Sequence, residues 1–397
     1  MKKINKLGLG ALITGLFSME NQGIACSDVF INKGGYHIEA RTLDFLVNLA
    51  FENRAGFIGT ENKTDIIIDA DKIPADKLAT WKNKYGYFGR AAFNGSKIID
   101  GMNTEGLSVA ILYLPGSKFP AYDPKDQKKV LSAYDVASFL LSQAASVAEG
   151  IHLLRTYQLV QSAVQAESGI FIKDIPIHYV IRDKTGDSAA VEFVDGKVKI
   201  YEKAGDIITN SPPLDWQLKN AAHYDSLLAT NTGPNEEFSK TVYDYNEIYE
   251  TAKHKGEANL LGMLGDYTPP SRFARARVLL NNLPAPTSRA VALAQASSLN
   301  DSLAVPPLKG AALTIWSTIK DLDKGVFYDK NMLRYQADRS LYAYPITSSA
   351  YTAYDLNAMD FKVPDPAVAE LSVHPTSSEQ IKKIISVDSI KLTGAEE

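Results

Sequence analysis

Alternating apolar and polar positions near the start of the chain predict a β-hairpin. Residues 28–32 and 36–45 have the alternation of half-buried strands, and Gly34 and Gly35 lie between them. Adjacent glycines are typical of two-residue hairpin loops, because both central residues of such a loop need a positive φ. We therefore expect the two strands to pair directly across this loop.

A two-residue loop also fixes which residues face each other across the hairpin. Paired positions then sum to 69, so that Cys26 lies opposite Leu43. Arg41 is the diagonal neighbour of Cys26 on the same face, within reach of a long side chain, and Asp44 is one step from the pair. Local pairing alone therefore brings a thiol, a guanidinium and a carboxylate together.

The rest of the chain alternates groups of predicted strands with groups of predicted helices. Because single strands and helices do not alternate regularly, the pattern favours an α+β layered domain with antiparallel sheets. Residues 386–392 read either as an edge strand or as a loose tail. The predicted strands are 85–93, 97–100, 107–114, 178–182, 189–194, 197–202, 312–319 and 325–328, with turns at 94–95, 101–103, 184–186 and 195–196; the helical regions are 132–144, with Ser132 as cap and Asp135 three residues on, 147–157 and 272–300.

The first 25 residues have the pattern of a signal peptide. Three lysines within the first six residues precede an apolar stretch over residues 7–17. Gly23 and Ala25 supply the small residues that a signal peptidase recognises before its cleavage site. Cleavage is expected before Cys26, which places the mature protein in the periplasm or outside the cell. Two other interpretations stay open: an N-terminal helix that is never cleaved, and a lipid-modified Cys26. Against the second, Gly23 occupies the position at which lipoprotein signals usually have a Leu-like residue.

The domain organisation follows from this processing site. Residues 1–25 form the signal peptide, residues 26–362 form one layered domain, and residues 363–397 form an extension that either belongs to the domain or trails from it. No later segment approaches the about 20 apolar residues of a membrane span. We therefore expect a protein without a transmembrane segment.

Composition and charge exclude several classes of function. The chain has 42 basic and 46 acidic residues and no long basic run, which argues against a nucleic-acid partner. Its six histidines are scattered and lack zinc-ligand spacing, so no metal site is expected. Cys26 is the single cysteine, so the chain forms no internal disulfide.

A cysteine at the start of a mature chain has the chemistry of a nucleophile and a base in one residue. An ordinary thiol is only a few per cent ionised at neutral pH and needs a base to become an effective nucleophile. An α-amine has a reference pKa of about 7.7–8.0 and is tethered beside the sulfur. Arg41 would favour the thiolate, and Asp44 could orient the amine. The alternative is an ordinary surface ion pair between Arg41 and Asp44.

These residues resemble the choloylglycine hydrolase family, which includes bile salt hydrolases and penicillin V acylases among the N-terminal nucleophile hydrolases. The similarity extends in the right order from Cys26 to Phe273 and includes strand residues near Trp316. Its motifs are Cys26 itself, Ala-Arg-Thr-Leu-Asp-Phe at 40–45, Asp-Gly-Met-Asn-Thr-Glu-Gly-Leu at 100–107, Thr-Asn-Ser-Pro-Pro-Leu-Asp-Trp at 209–216 and Ser-Arg-Phe at 271–273.

The resemblance implies a four-layer αββα sandwich, a homotetramer and no cofactor. It implies that Cys26 attacks an amide carbon with support from Arg41 and Asp44. Export before a terminal cysteine resembles the Gram-negative branch of the family, which favours the periplasm.

The family pattern also implies roles for three later residues. Asn210 would donate its side-chain amide to the oxyanion of the tetrahedral intermediate, together with a backbone N–H near Tyr113, and Arg272 would complete the polar network. In comparable sites each such donor stabilises the transition state by about 2.7–4 kcal/mol. Without the resemblance, Asn210 reads as a turn or capping residue before Pro212, and Arg272 as a surface charge at a helix start.

With the resemblance, the sequence favours a substrate that is a linear amide with an apolar acyl group. Tyr113 aligns where penicillin V acylases tend to carry Tyr and bile salt hydrolases tend to carry Asn, which favours a penicillin V acylase-like activity. The Gram-negative branch also contains acyl-homoserine lactone acylases, which are a further candidate. Phe45 replaces a Trp common among relatives and keeps an aromatic wall while losing an indole donor. A bile salt hydrolase is the alternative within this class, and a non-catalytic periplasmic lipoprotein or binding protein is the alternative outside it.

Overall fold

The computed structural model describes residues 25–45, 51–67, 70–93, 95–165, 171–227, 263–306, 312–334, 345–364 and 384–386. Apart from Ala25, the predicted signal peptide lies outside the described residues, as does most of the extension after residue 363. The proposed domain boundaries therefore stay predictions. No helix within these ranges is both long and apolar enough to cross a membrane.

The described elements are twenty-one strands and five α-helices. In chain order the strands are β1 (Ala25–Lys33), β2 (Tyr36–Phe45), β3 (Glu52–Gly56), β4 (Glu61–Lys63), β5 (Thr80–Lys82), β6 (Tyr87–Ala92), β7 (Lys97–Asn103), β8 (Leu107–Tyr113), β9 (Lys129–Ser132), β10 (Tyr157–Val160), β11 (Ala163–Gln165), β12 (Phe171–Lys173), β13 (Ile177–Asp183), β14 (Ser188–Val194), β15 (Lys197–Glu202), β16 (Ile207–Ile208), β17 (Leu313–Asp321), β18 (Val326–Arg334), β19 (Pro345–Ser348), β20 (Thr352–Asp355) and β21 (Ile384–Ser386). The helices are α1 (Val136–Gln143), α2 (Val147–Leu154), α3 (Leu214–Ala221), α4 (Pro269–Asn282) and α5 (Arg289–Leu303).

Two antiparallel seven-stranded sheets form the centre of the fold. The first sheet has the order β16-β1-β2-β17-β18-β19, with β20 also paired to β18. The second has the order β15-β14-β13-β8-β7-β6-β3. Short pairings of β9 with β10, β4 with β5, and β11 and β21 with β12 complete the described strands.

Helices cover the outer face of each sheet. α1 and α2 pack on the second sheet against β7, β8 and β13, whereas α4 and α5 pack on the first sheet against β1 and β2. The inner faces of the two sheets pack on each other, so the order of layers is helix, sheet, sheet, helix. The predicted α+β class and the four-layer αββα sandwich are confirmed.

The N-terminal hairpin has the predicted register. Gly34 and Gly35 have φ of +66° and +76°, as a tight two-residue loop requires. Cys26 pairs with Leu43, as the sum rule predicted. Only glycine fits readily at position 34, because a Cβ there would lie 3.0 Å from the backbone oxygen of Pro286.

The predicted turn at residues 101–103 is wrong, because these residues complete strand β7. The chain turns at residues 104–106 instead, where Gly106 has φ of +80°. Packing rather than a turn explains Gly101: a Cβ there would lie 2.9 Å from the Leu141 side chain and 3.0 Å from the Phe88 carbonyl oxygen. Sheet packing rather than turn geometry therefore accounts for the glycine at this position.

The other elements differ from the prediction mainly at their ends. Ser132 caps a short 3₁₀ turn, accepting from the N–H of Tyr134, and α1 begins only after it. Asp135 does not return to its helix start but accepts hydrogen bonds from Thr64, Asp65 and Lys97. The region 147–157 ends as a helix at Leu154. The region 272–300 contains α4 and α5; the strands predicted at 178–182, 189–194 and 197–202 are confirmed, and those at 312–319 and 325–328 are longer than predicted.

Asn103 holds the turn after β7, and its replacement by Ala is expected to lower the free energy of unfolding. Its buried side chain donates to the carbonyls of Leu141 and Ala144 and accepts from the N–H groups of Glu105 and Leu107. Ala would leave these backbone groups without their partner, at a cost of about 3 kcal/mol or more. Chemical denaturation of the variant measures the loss.

The control for this substitution is Asn357→Ala. Asn357 also makes side-chain hydrogen bonds within a turn, but they are exposed to water. Water can replace them, so the expected change is below about 1 kcal/mol. Equal destabilisation by the two variants would contradict the structural role assigned to Asn103.

Candidate active site

Cys26 lies at the second position of β1 and is only 2% exposed. The sequence placed Arg41 beside it, and the structure confirms this neighbourhood. The Arg41 guanidinium donates to the carbonyls of Ile99 and Ile111 at 2.6 and 2.5 Å, so it is fixed between the sheets. Burial raises the pKa of the Cys26 thiol, and the charge of Arg41 is the largest influence opposing that rise.

Asp44 and Arg272 meet on the other face of the hairpin. Asp44 Oδ1 accepts from the Thr314 hydroxyl at 2.5 Å, and Asp44 Oδ2 lies 3.6 Å from Arg272 Nη1. Burial raises the pKa of Asp44 to about 6, and Arg272 partly offsets this effect. The first sheet thus presents a cation and a carboxylate to Cys26 from opposite faces.

Arg272 connects helix α4 to the start of β1. It donates to the Cys26 carbonyl at 2.7 Å and to the hydroxyl of Ser27, while its Nε donates to the Tyr267 carbonyl at 3.0 Å. The side chain is fully buried. The interpretation of Arg272 as a surface charge is therefore wrong, and the side chain lies in the polar network.

Asn210 lies at the centre of the same network. Its Oδ1 accepts from the Cys26 backbone nitrogen at 2.5 Å and from Arg272 Nη2 at 2.9 Å. Its Nδ2 donates to the Tyr113 carbonyl at 2.5 Å, and the Tyr113 N–H points at the Cys26 sulfur. One amide hydrogen of Asn210 is therefore engaged with protein, which leaves the other for a ligand.

The segment that carries Asn210 is held from behind by two residues that sequence reasoning missed. Gln217 Nε2 donates to the Asn210 carbonyl at 3.2 Å, and Glu192 Oε1 accepts the N–H of Leu214 at 2.9 Å. Thr314, which orients Asp44, lies in the strand near Trp316 that resembles the family, but the sequence predicted no role for it. No local sequence signal marks Glu192 or Gln217, because each acts through a distant part of the chain.

An apolar cleft of about 660 Å³, including space open to solvent, begins at Cys26. Phe45 and Tyr113, the two residues expected near the substrate, both line it. Lys97 also lines the cleft, but its ammonium is held 2.5 Å from the buried carboxylate of Asp135. The remaining lining residues are apolar or aromatic: Leu43, Phe51, Ala92, Phe93, Ile99, Ile111, Leu112, Tyr134, Val164, Ile175 and Ile177.

No three His, Cys, Asp or Glu side chains of the described ranges cluster closely enough to hold a metal ion. What the site offers is a thiol with a guanidinium on one side, an amide and a second guanidinium around its backbone, and an apolar cleft in front. Such an arrangement suits nucleophilic attack on a carbonyl group by sulfur.

Curated proteins that are similar in sequence to this chain include a penicillin V acylase and bile salt hydrolases. Penicillin V acylase from Pectobacterium atrosepticum is 33% identical over 152 residues, which cover 37% of this chain and 40% of that protein. A bile salt hydrolase/transferase from Clostridium perfringens is 25% identical over 316 residues, covering 75% of this chain and 85% of that protein. The first alignment therefore spans less than half of the relative.

Solved structures show the same fold. Penicillin V acylase from Agrobacterium tumefaciens superimposes with a TM-score of 0.61 at 20% identity, over 90% of this chain and 96% of that one. A mutant conjugated bile acid hydrolase from Clostridium perfringens gives 0.64 at 19% identity, over 94% of this chain and 100% of that one. At identities this low the superpositions establish the architecture alone, and the chemistry has to be argued from the site.

The family assignment comes from the sequence as a whole. The family described as linear amide C–N hydrolases, choloylglycine hydrolase family, matches residues 26–339, which is most of the chain. The match includes the hairpin with Cys26, Arg41 and Asp44, the segment with Asn210, and the helix with Arg272. The chain therefore belongs to the choloylglycine hydrolase family and is a linear amide hydrolase.

Proposed function

We propose that the mature protein begins at Cys26 and hydrolyses linear amides that carry an apolar acyl group, with the Cys26 sulfur as nucleophile. The observation that carries this proposal is the position of the sulfur. It lies where the polar network of Arg41, Asp44, Asn210 and Arg272 meets the apolar cleft. A scissile carbonyl at the sulfur would have charged and amide groups behind it and apolar side chains around its acyl chain.

Removal of residues 1–25 would turn the Cys26 nitrogen into an α-amine, whose reference pKa of about 7.7–8.0 suits a base at neutral pH. That nitrogen already has an acceptor in Asn210 Oδ1, at 2.5 Å. The charge of Asp44 is felt at Cys26, where it would stabilise an ammonium electrostatically. These neighbours support a role for the amine in accepting the thiol proton, while Arg41 lowers the cost of the thiolate.

In the acylation step the thiolate forms a C–S bond to the amide carbon, and the carbonyl π electrons move to oxygen. The Tyr113 N–H and the second amide hydrogen of Asn210 are the donors placed to stabilise this oxyanion. As the oxyanion collapses, the C–N bond breaks and the α-ammonium gives its proton to the leaving nitrogen. The products are a thioester on Cys26 and a free amine.

In the deacylation step water attacks the thioester carbon and gives a proton to the α-amine. The same two donors stabilise the second oxyanion. Its collapse breaks the C–S bond, releases the carboxylic acid and returns the proton to the sulfur, so that the free enzyme is restored. No group other than water is consumed.

The cleft supports an apolar acyl group. Lys97 contributes its aliphatic stem to the lining, because Asp135 holds its ammonium. The Tyr134 hydroxyl is already engaged with the backbone of Ile175 at 3.1 Å in both directions. Polar groups of an acyl chain would therefore lose water there without finding ready partners, which costs free energy.

Burial of Cys26 also favours an enzyme over a lipoprotein. A lipid-modified cysteine would need to extend from the protein to a membrane, whereas this sulfur is enclosed by the second sheet. We further propose export through the N-terminal signal peptide to the periplasm or the medium, and a homotetramer. Intact mass of exported protein tests the processing, and light scattering tests the assembly.

A comparison of three amides tests the proposed substrate class: penicillin V, a long-chain acyl-homoserine lactone and a glycine-conjugated bile salt. We expect kcat/KM to be higher for penicillin V or the lactone than for the bile salt, since the hydroxyl groups of a steroid would be buried against apolar side chains. Release of the free amine is measured, with the Cys26→Ala variant as blank. Faster turnover of the bile salt would favour a bile salt hydrolase instead.

A further inference from the structure

The inner face of the first sheet carries charged side chains where a sheet sandwich ordinarily has apolar ones. Strand pairing places Asp28, Arg41 and Thr318 in one row across β1, β2 and β17. In the next row of β2 and β17, Glu39 lies opposite Lys320. Side chains alternate across a strand, so these rows share the face that carries Cys26.

Asp100 of the second sheet connects these rows. Its Oδ1 accepts from Lys320 Nζ at 2.5 Å and lies 3.3 Å from Arg41 Nη1, while its Oδ2 accepts from the Thr318 hydroxyl at 2.6 Å. Lys320 also lies 3.0 Å from Glu39. A continuous chain of contacts therefore runs from Glu39 through Lys320 and Asp100 to Arg41, and Arg41 faces the sulfur.

Filling a protein core with this network costs more free energy than filling it with apolar side chains. Charges removed from water lose several kcal/mol of solvation each, and apolar replacements of buried ion pairs are often neutral or stabilising. Three cations face three carboxylates here, and all of them are buried: Arg41, Arg182 and Lys320 against Asp28, Glu39 and Asp100. The network therefore calls for a role beyond packing.

Arg41 has several contacts besides the one with Asp100. The carbonyls of Ile99 and Ile111 hold both of its terminal nitrogens, and its guanidinium lies 5.2 Å from the Trp316 ring centre. Asp100 therefore changes the charge around Arg41 more than its position. Lys320 in turn neutralises part of the Asp100 charge.

We propose that Asp100 and Lys320 are positioning residues that set how strongly Arg41 favours the thiolate of Cys26, Asp100 weakening its effect and Lys320 restoring it. Their catalytic importance rests on the proposed function, in which Cys26 is the nucleophile. Neither residue touches the substrate cleft.

Other groups also face the sulfur and are unchanged by substitutions in this pair. Asp44 comes from the first sheet, Arg272 from α4, the Tyr113 N–H from the second sheet, and the α-amine from Cys26 itself. Asp28 acts on the neighbouring Arg41. At the far end of the network, burial and then Asp28 raise the pKa of Glu39 to about 7. Below that pH the three cations face only two charged carboxylates, which further favours a thiolate.

Ultraviolet titration of the thiolate tests the proposal, because the chain has a single cysteine and Cys26→Ser supplies the blank. Asp100→Asn removes a negative charge next to Arg41, so the thiolate midpoint should fall by about one pH unit. Lys320→Met should raise the midpoint by a smaller amount, since Glu39 can take up a proton. Lys320→Arg should restore the wild-type value.

Thr318→Val is the matched control. It removes a hydrogen bond to the same Asp100 carboxylate without changing any charge, so it should lower stability and leave the midpoint in place. A purely structural role predicts shifts of the same sign, or none, in Asp100→Asn and Lys320→Met, and either result overturns the proposal. If Asp100→Asn does not fold, the comparison of Lys320→Met with Lys320→Arg still tests the proposal. The titration needs no substrate, so it is independent of whether Cys26 catalyses hydrolysis.

Discussion

Replacement of Cys26 by Ala is expected to lower kcat/KM for amide hydrolysis by roughly 10⁴-fold or more, because no other group at the site can form the acyl intermediate. The fold should remain intact. Arg41 is held by the carbonyls of Ile99 and Ile111 whether or not the sulfur is present. Amine release and thermal unfolding, measured on the same preparation, separate the loss of activity from any loss of structure.

Cys26→Ser is the control, because it keeps a nucleophilic atom in place. A hydroxyl is much harder to ionise than a thiol, so this variant should retain a small residual rate. Wild-type activity in Cys26→Ala would exclude the sulfur as nucleophile. Unfolding of Cys26→Ala well below the wild-type temperature would instead mean that the buried thiol is needed for packing.

The part of the site formed by the hairpin could be predicted from the sequence. Two adjacent glycines determine the loop, the loop determines the register, and the register places Arg41 beside Cys26 and Asp44 one step away. All of this is encoded within twenty consecutive residues, so no information about the fold was needed.

The rest of the site could not be derived in this way. Asn210 and Arg272 contact Cys26 although they lie 184 and 246 residues from it in the sequence. Thr314 contacts Asp44 at a sequence separation of 270 residues. No periodicity or turn signal connects positions so far apart. Only the family resemblance pointed to Asn210 and Arg272, and the structure brings both to Cys26, whereas their catalytic roles stay predictions.

The motif at residues 100–107 shows how a correct resemblance can accompany an incorrect local interpretation. The sequence pattern predicts a turn at Gly101, yet Gly101 lies within β7, where a Cβ would lie 2.9 Å from the Leu141 side chain. The sequence indicates no role for Asp100 beyond its place in the motif. Its contacts with Lys320 and Arg41 depend on the packing of two sheets, which the sequence does not specify locally.

The mechanism also requires that no residue precede Cys26, and the structure allows this requirement to be tested without disturbing the fold. Ala25 continues β1 and pairs with Asp44, so the hairpin accommodates one residue ahead of the cysteine. The Cys26 nitrogen is then an amide, whose N–H donates to Asn210 at 2.5 Å. An amide nitrogen has no basic lone pair and cannot accept the thiol proton.

Two chains released from a removable fusion, one beginning at Cys26 and the other at Ala25, should therefore unfold at similar temperatures but differ in kcat/KM by roughly 10³-fold or more, the upper part of what a positioned base contributes. Intact mass verifies each first residue. Equal turnover would show that the base is another group, and Asp44, whose pKa is raised to about 6 by burial, would then be the next group to replace. A slow chain that recovers activity as its extra residue is lost would locate the base in the amine of Cys26.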